Sequence, residues 1–313
     1  MWRAPVAGLA LACALVASGC GFGPGPSSGS AARLDVTRDF GHQLLDSAKV
    51  AHVHSSDTVM RFLEAAHRVT TRYGGGFVQS IDGLAGDRSA QRDWFFYVNG
   101  IEAGVGAADF GLSGGDRVQW DYHSWRATMR VPAIVGAYPE PFVRGYRGRR
   151  LPVRVECERP GSAPCREVVK RLDEAGAVAT EAGFASTAGA QLARVLVGRW
   201  SAVRRLQVAT PLTQDPAASG VFARFRAGAG GRGPVALELL GPTGGVARKA
   251  PPGTGLVAAR ATEEQAVTWL VTGVDDAGVA RAAASLSPTT LRDAFAVAAT
   301  PSGPVRLPVE GRR

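Results

Sequence analysis

The sequence predicts an α+β fold in two parts: a small sheet-and-helix module over residues 33–125, then a separate α/β domain over residues 131–302. Two observations carry this expectation. Between Arg33 and Trp125, five short runs of strand-forming residues surround one amphipathic helical run, with Gly, Asn and Asp turn-formers between them. From Val131 onward, strand-like and helix-like runs alternate instead. With 313 residues, 45% of them apolar, the chain can bury the cores of two domains.

The elements follow in order. Strands are expected over residues 34–37 and 44–50, joined as a hairpin around Gly41. Ser56-Asp57 caps a helix that runs to about Tyr73. Val59, Phe62, Leu63, Ala66 and Val69 recur on one of its faces, and Gly74-Gly75-Gly76 stops it. Strands over 77–81, 93–98 and 117–122 are separated by Asp82-Gly83, Asn99-Gly100 and Ser113-Gly114-Gly115-Asp116. One helix across a mostly antiparallel sheet is a β-grasp-like arrangement. In the second part, strands are expected over 151–157, 193–197, 235–239, 255–259 and 268–271. Helices are expected over 165–175, through Val203 and Leu206, after the cap Asp275, and from Ser287-Pro288 through Leu291 and Phe295. The tail, 303–313, is expected to fray.

The first residues read as an address. Arg3 precedes an apolar stretch, residues 6–17, shorter than the roughly 20 residues a membrane-spanning helix needs. Ala17-Ser18-Gly19-Cys20 follows and resembles the bacterial lipobox, in which the cysteine is lipidated and the preceding signal peptide, here residues 1–19, is removed. The resemblance implies a lipoprotein acylated on Cys20, palmitate among its acyl chains, and held on the extracytoplasmic face of the cell membrane; the alternative is an ordinary secretory signal. Residues 20–32, rich in Gly, Pro and Ser, then form a flexible tether. Two or more acyl chains would anchor the protein stably.

Cysteine usage agrees with export. Cys13 leaves with the signal and Cys20 takes the lipid, which leaves Cys157 and Cys165 to form a disulfide in an oxidising compartment. A metal or redox pair is the competing reading, although neither the spacing nor a neighbouring histidine favours it. The net charge of +9 comes almost wholly from arginine, since Lys49, Lys170 and Lys249 are the only lysines. For an exported chain this charge means solubility and proximity to membrane, with no nucleic-acid partner. The run Arg144, Arg147, Arg149, Arg150 and Arg154 reads as a solvated linker face, or else as a contact for phosphate head groups or an acidic partner.

The most specific stretch is Trp94-Phe95-Phe96-Tyr97-Val98-Asn99-Gly100, followed by Ser113-Gly114-Gly115-Asp116-Arg117-Val118-Gln119-Trp120-Asp121-Tyr122. On a strand, Trp94, Phe96 and Val98 face one way and Phe95, Tyr97 and Asn99 the other, so both faces carry rings. One face must cover the helix through Phe62 and Leu63. The other either offers a platform to a flat or apolar ligand or packs on the linker or second domain. Asn99-Gly100 suits a tight hairpin, and Asp116 suits a turn that receives backbone N–H bonds.

With the helix opening at Asp57-Thr58-Val59 and the segment Ser80-Ile81-Asp82-Gly83, this stretch resembles an exported bacterial domain-of-unknown-function family similar to the C-terminal domain of transcobalamin, over residues 34–125. The resemblance implies a ligand-binding module that closes over a large planar cofactor such as cobalamin. It points to Trp94, Tyr97, Trp120 and Tyr122 as contacts, with Phe95 and Asn99 beside them. The helical-barrel domain that completes the carriers has no counterpart in this chain.

All five histidines, His42, His52, His54, His67 and His123, fall in the first module. His52 with His54, and Glu64 with His67, have spacings a zinc site could use, but nothing brings the pairs together, and no metal site is assigned. No nucleophile elbow, zinc-protease motif or phosphate loop is present, so no catalytic residue is assigned and the chain is read as a non-enzyme. The expectation is a membrane-anchored binding lipoprotein that captures cobalamin or another large cofactor, with a transporter or cell-surface protein as partner. The alternative is an interaction or adhesion module without a small-molecule ligand.

Overall fold

The computed structural model describes residues 27–28, 30–184, 191–227, 235–261 and 266–310. The signal segment, Cys20 and most of the tether lie outside the described residues. Of the tether, Ser27–Ser28 pairs antiparallel with Val53–His54. The fold is mixed α+β, and no helix among the described residues is long and apolar enough to cross a membrane.

The first sheet is built from β1 (Ala32–Arg38), β2 (Gln43–Val50), β6 (Arg92–Val98), β7 (Ile101–Glu102) and β8 (Arg117–Ser124), in the order β2-β1-β8-β6-β7. Chain-first β1 and chain-last β8 lie parallel at its centre, Arg33 opposite Arg117 and Val36 opposite Trp120. Between them come α1 (Val59–Ala66) and the small antiparallel sheet of β3 (Val69–Arg72), β4 (Phe77–Ile81) and β5 (Leu84–Ala85).

Helix α1 starts where Thr58 Oγ1 accepts the Arg61 N–H at 3.2 Å, and it buries Val59, Met60, Phe62 and Leu63. It is much shorter than the apolar spacing predicts. At its end, His67 Nδ1 lies 2.7 Å from Asp82 Oδ2, and the Arg68 N–H donates to Asp82 Oδ1 at 2.9 Å. These bonds lead the chain out of the helix into β3, where Thr70 and Thr71 suit an extended backbone.

The second sheet has seven strands: β9 (Val153–Cys157), β10 (Ala179–Gly183), β11 (Ala193–Arg199), β15 (Gly255–Ala261), β16 (Val267–Gly273), β17 (Ala296–Thr300) and β18 (Gly303–Leu307). Their order is β10-β9-β11-β16-β15-β17-β18, parallel across the first four and antiparallel across the rest. Helices α2 (Ala163–Glu174) and α5 (Asp276–Ala284) cover one face, where Val168, Leu172, Val279 and Ala282 join Val155, Val195 and Val271 in one buried cluster. The other face carries α3 (Trp200–Val203), α4 (Thr210–Gln214) and a three-stranded sheet of β12 (Ala223–Arg226), β13 (Ala236–Leu240) and β14 (Val246–Lys249).

Cys157, closing β9, and Cys165, in the first turn of α2, form a disulfide with 6.1 Å between their Cα atoms, as the sequence predicts. Asp275 caps α5 as expected, its Oδ1 accepting the Gly278 N–H at 2.7 Å. Two expectations fail near the C-terminus. The last helix, α6 (Pro288–Leu291), stops before Phe295. Much of the tail expected to fray is β18, which pairs with β17 and buries Leu307 completely.

The two sheets do not own separate cores. Each of the two large buried clusters draws residues from both halves. Residues 131–152 act as the wedge between them. The Ile134 N–H donates to the Gly100 carbonyl at 2.8 Å, Tyr138 Oη donates to the Arg171 carbonyl at 2.8 Å, and Phe142 meets Trp269 edge-on at 5.1 Å. Arg144 pairs within this wedge with the fully buried Glu140, but its own side chain stays 46% exposed and Arg147, Arg149 and Arg150 are exposed, so the run lies at the surface.

Candidate binding cleft

The aromatic strand face expected to meet a ligand is covered by the chain itself. The β6–β8 register sets Phe96 opposite Trp120 and Trp94 opposite Tyr122, on the α1 side of the sheet. Trp94 Nε1 donates to the Leu84 carbonyl at 2.8 Å and Tyr122 Oη to the Ala85 carbonyl at 3.0 Å, so both rings are tied down by β5. Trp120 stacks on Phe96 with centroids 4.8 Å apart. On the opposite face, Tyr97 packs edge-on against Phe295 at 5.4 Å and is 1% exposed. Its pKa is pushed well up by burial.

Phe95 is half-buried and stacks on His123 at 4.3 Å. Asn99 is buried: its Nδ2 donates to Asp116 Oδ1 and to the Gly145 carbonyl, each at 2.8 Å, and its Oδ1 accepts the Arg117 N–H at 2.9 Å. Trp94, Tyr97, Asn99, Trp120 and Tyr122 are buried, Trp94 and Tyr122 held by β5, Trp120 stacked on Phe96, and Tyr97 packed on Phe295 of the second half. Of the expected contacts, only Phe95 keeps a partly open surface.

A buried polar network anchors this contact. Asp121 is fully buried and accepts four bonds: from Thr37 Oγ1 at 2.6 Å, from the Phe40 and Gly41 N–H groups at 3.0 and 2.8 Å, and from His123 Nδ1 at 2.8 Å. His123 is held between the Phe40 and Phe95 rings, with Phe295 edge-on at 5.3 Å. Gly41, at φ +75°, lies so close to the carbonyl of Asp293 that a Cβ there would sit 1.7 Å from that oxygen. The hairpin turn and the 293 loop thus close on each other backbone to backbone.

Beside this anchor opens a cleft of about 660 Å³. Asp39, His42, Arg92 and Arg126 come from the first half, and Thr243 and Glu310 from the second. Arg92 pairs with Asp39 and lies over the Tyr122 ring, 5.0 Å from its centroid. Burial pushes the Asp39 carboxyl up, but the guanidinium groups of Arg92 and Arg38 outweigh it and hold the pKa below its usual value. His42 Nε2 lies 2.7 Å from the Pro308 carbonyl and clamps the C-terminal segment to the hairpin.

Sequence reading missed Asp39, Arg92 and the Asp121–His123 pair. The last had a signal, since an acid and a histidine two apart on a strand share a face.

The histidines do not converge. Among the described residues, the three potential ligands near enough to share an ion are Cys157, Cys165 and Glu181, and the two cysteines are bonded to each other.

Residues 56–124 match the family described as "Domain of unknown function (DUF4430)". Two solved structures show a likeness over about a third of the chain. One is from Ruminococcus gnavus ATCC 29149 and is provisionally described as a metal binding protein. It shares 16% identity over 30% of this chain and 97% of its own, with a TM-score of 0.24. The other is haptocorrin in complex with Cbi, at 12% identity over 31% of this chain, with a TM-score of 0.24. The matched region spans 26% of the haptocorrin chain. No curated protein matches the chain at a significant level.

Proposed function

We propose that the protein is a non-catalytic binding lipoprotein, anchored through Cys20 on the extracytoplasmic face of the membrane. In this reading residues 33–125 form a β-grasp-like module, and a small polar ligand enters the cleft between that module and the C-terminal half. The observation that carries the proposal is convergence. Charged side chains from both halves meet at a cleft of about 660 Å³, a volume usual for small-molecule sites, while the aromatic faces beside it are closed. Asp39 of the cleft is paired with Arg92 and Arg38, a fixed pattern of charge that suits recognition. Cobalamin, the sharper expectation from sequence, would need ring surface that Trp94, Tyr97, Trp120 and Tyr122 no longer offer, so a smaller polar ligand ranks above it.

One observation favours a second reading, recognition of a protein partner at the surface. Strand β2 is a sheet edge whose residues 43–47 are all exposed, with Leu44 and Leu45 open to solvent. Such an edge can accept a partner's strand.

Two experiments test the proposal. Cys20→Ser should move the protein from the membrane fraction to the soluble one. In thermal-shift titrations, a small polar ligand that raises the Tm of the wild type should lose its effect in Thr243→Trp, which fills the cleft. A visible-spectrum shift of cyanocobalamin at stoichiometric protein, or stabilisation untouched by Thr243→Trp, would overturn the reading of the cleft.

A further inference from the structure

The seven-stranded sheet carries basic and hydroxyl side chains at one level across three neighbouring strands. Arg194 of β11 is opposite Thr268 of β16, and Thr268 is opposite Arg260 of β15. Directly opposed residues project to one side of a sheet, here the side away from α2 and α5. Arg194 is satisfied, since its Nε and Nη2 donate to the buried Glu156 at 2.9 and 2.6 Å. Arg260 donates through Nη1 to the Ser219 carbonyl; among the described residues its Nε is buried with no hydrogen-bond partner and no carboxylate pairs with it. Burial lowers its pKa, yet a guanidinium stays charged at any physiological pH.

These side chains line a cavity of about 570 Å³, and Leu206, Val208 and Pro211 form its apolar wall. A partly desolvated guanidinium gains from an anion beside it, and the cavity leaves room for one. We propose that this cavity binds the oxyanion of a small organic ligand, a carboxylate or a phosphate ester, paired with Arg260 beside the Thr268 hydroxyl and with its body against the apolar wall. The residues concerned are not those of the junction cleft, so the proposal stands or falls independently of that reading.

Calorimetric titration of the purified protein with phenyl phosphate, benzoate and inorganic phosphate, at constant ionic strength set with sodium chloride, tests it. Phenyl phosphate or benzoate should bind saturably and more tightly than inorganic phosphate, and which of the two binds assigns the headgroup. Arg260→Gln should weaken that binding about tenfold or more, the loss expected for a charge-assisted hydrogen bond, while Arg260→Lys retains part of it. Should Arg260→Gln fail to fold, Thr268→Val leaves the guanidinium in place and should weaken binding about three- to tenfold. The proposal is overturned if no organic anion binds more tightly than inorganic phosphate, or if the folded Arg260→Gln or Thr268→Val variant binds as the wild type does.

Discussion

Asp293 gives the contact between the two halves a dependence on pH whose sign can be worked out. The residue sits in the loop that the hairpin turn closes upon. Its carbonyl accepts a hydrogen bond from Gln119 Nε2 at 3.1 Å, and its N–H donates to the Gly136 carbonyl at 3.2 Å. Burial, reinforced by the nearby Asp35, raises its carboxyl pKa from 3.8 to about 6, against the opposing pull of Arg306, Arg33 and Arg292.

A carboxyl with a raised folded-state pKa binds its proton more tightly folded than unfolded. Its favourable contribution is complete below about pH 4 and is lost as the pH rises through about 6. A shift of about two units corresponds to roughly 3 kcal/mol, and solvent screening brings the expected loss to about 1–3 kcal/mol. Asn cannot ionise and, like Asp, tolerates the positive φ of 58° found here. Urea unfolding of wild type and Asp293→Asn at a series of pH values should therefore show the variant more stable by about 1–3 kcal/mol at pH 7.5. The gap should narrow as the pH falls through 6 towards 4. Two parallel profiles would refute the argument.

Further outcomes follow from the same contact and from the disulfide. Gly41→Ala should cost about 3–5 kcal/mol in urea unfolding, because its Cβ must displace the Asp293 carbonyl and an L residue is strained at φ +75°. Tyr97→Phe should be neutral or stabilising by about 1 kcal/mol, since the Tyr97 hydroxyl is buried with no hydrogen-bond partner among the described residues; a loss above that would show that the hydroxyl has one. Replacing Cys157 and Cys165 together by Ser should cost about 2–3 kcal/mol, the loop entropy for a separation of eight residues, read as a lower urea midpoint.

Local signals carried much of the fold. Turn-formers at Asn99-Gly100 and Asp82-Gly83 marked the ends of β6 and β4, and the cap at Asp275 marked the start of α5. Where the reading erred, a distant partner decided. The helical spacing past Ala66 yields to an Asp82 carboxylate 15 residues beyond His67, and the tail is ordered because Leu307 finds a core across the sheet. The rings on both faces of β6 were legible as an excess. That the second part of the chain would cover them was legible only as one alternative, because the covering Phe295 lies more than a hundred residues away. The cleft escaped sequence analysis for the same reason: its walls come from segments far apart in the chain, none of which carries a recognisable motif alone.

Hydroxyl-radical footprinting of the intact protein, read residue by residue by mass spectrometry, tests most directly the claim that the aromatic strands form an internal contact. Tyr73, which is 77% exposed, should oxidise quickly, while Tyr97, Trp120 and Tyr122 stay protected until urea unfolds the chain. Oxidation of Tyr97 and Trp120 in the native protein as fast as that of Tyr73 would contradict the account and return those rings to the list of ligand contacts.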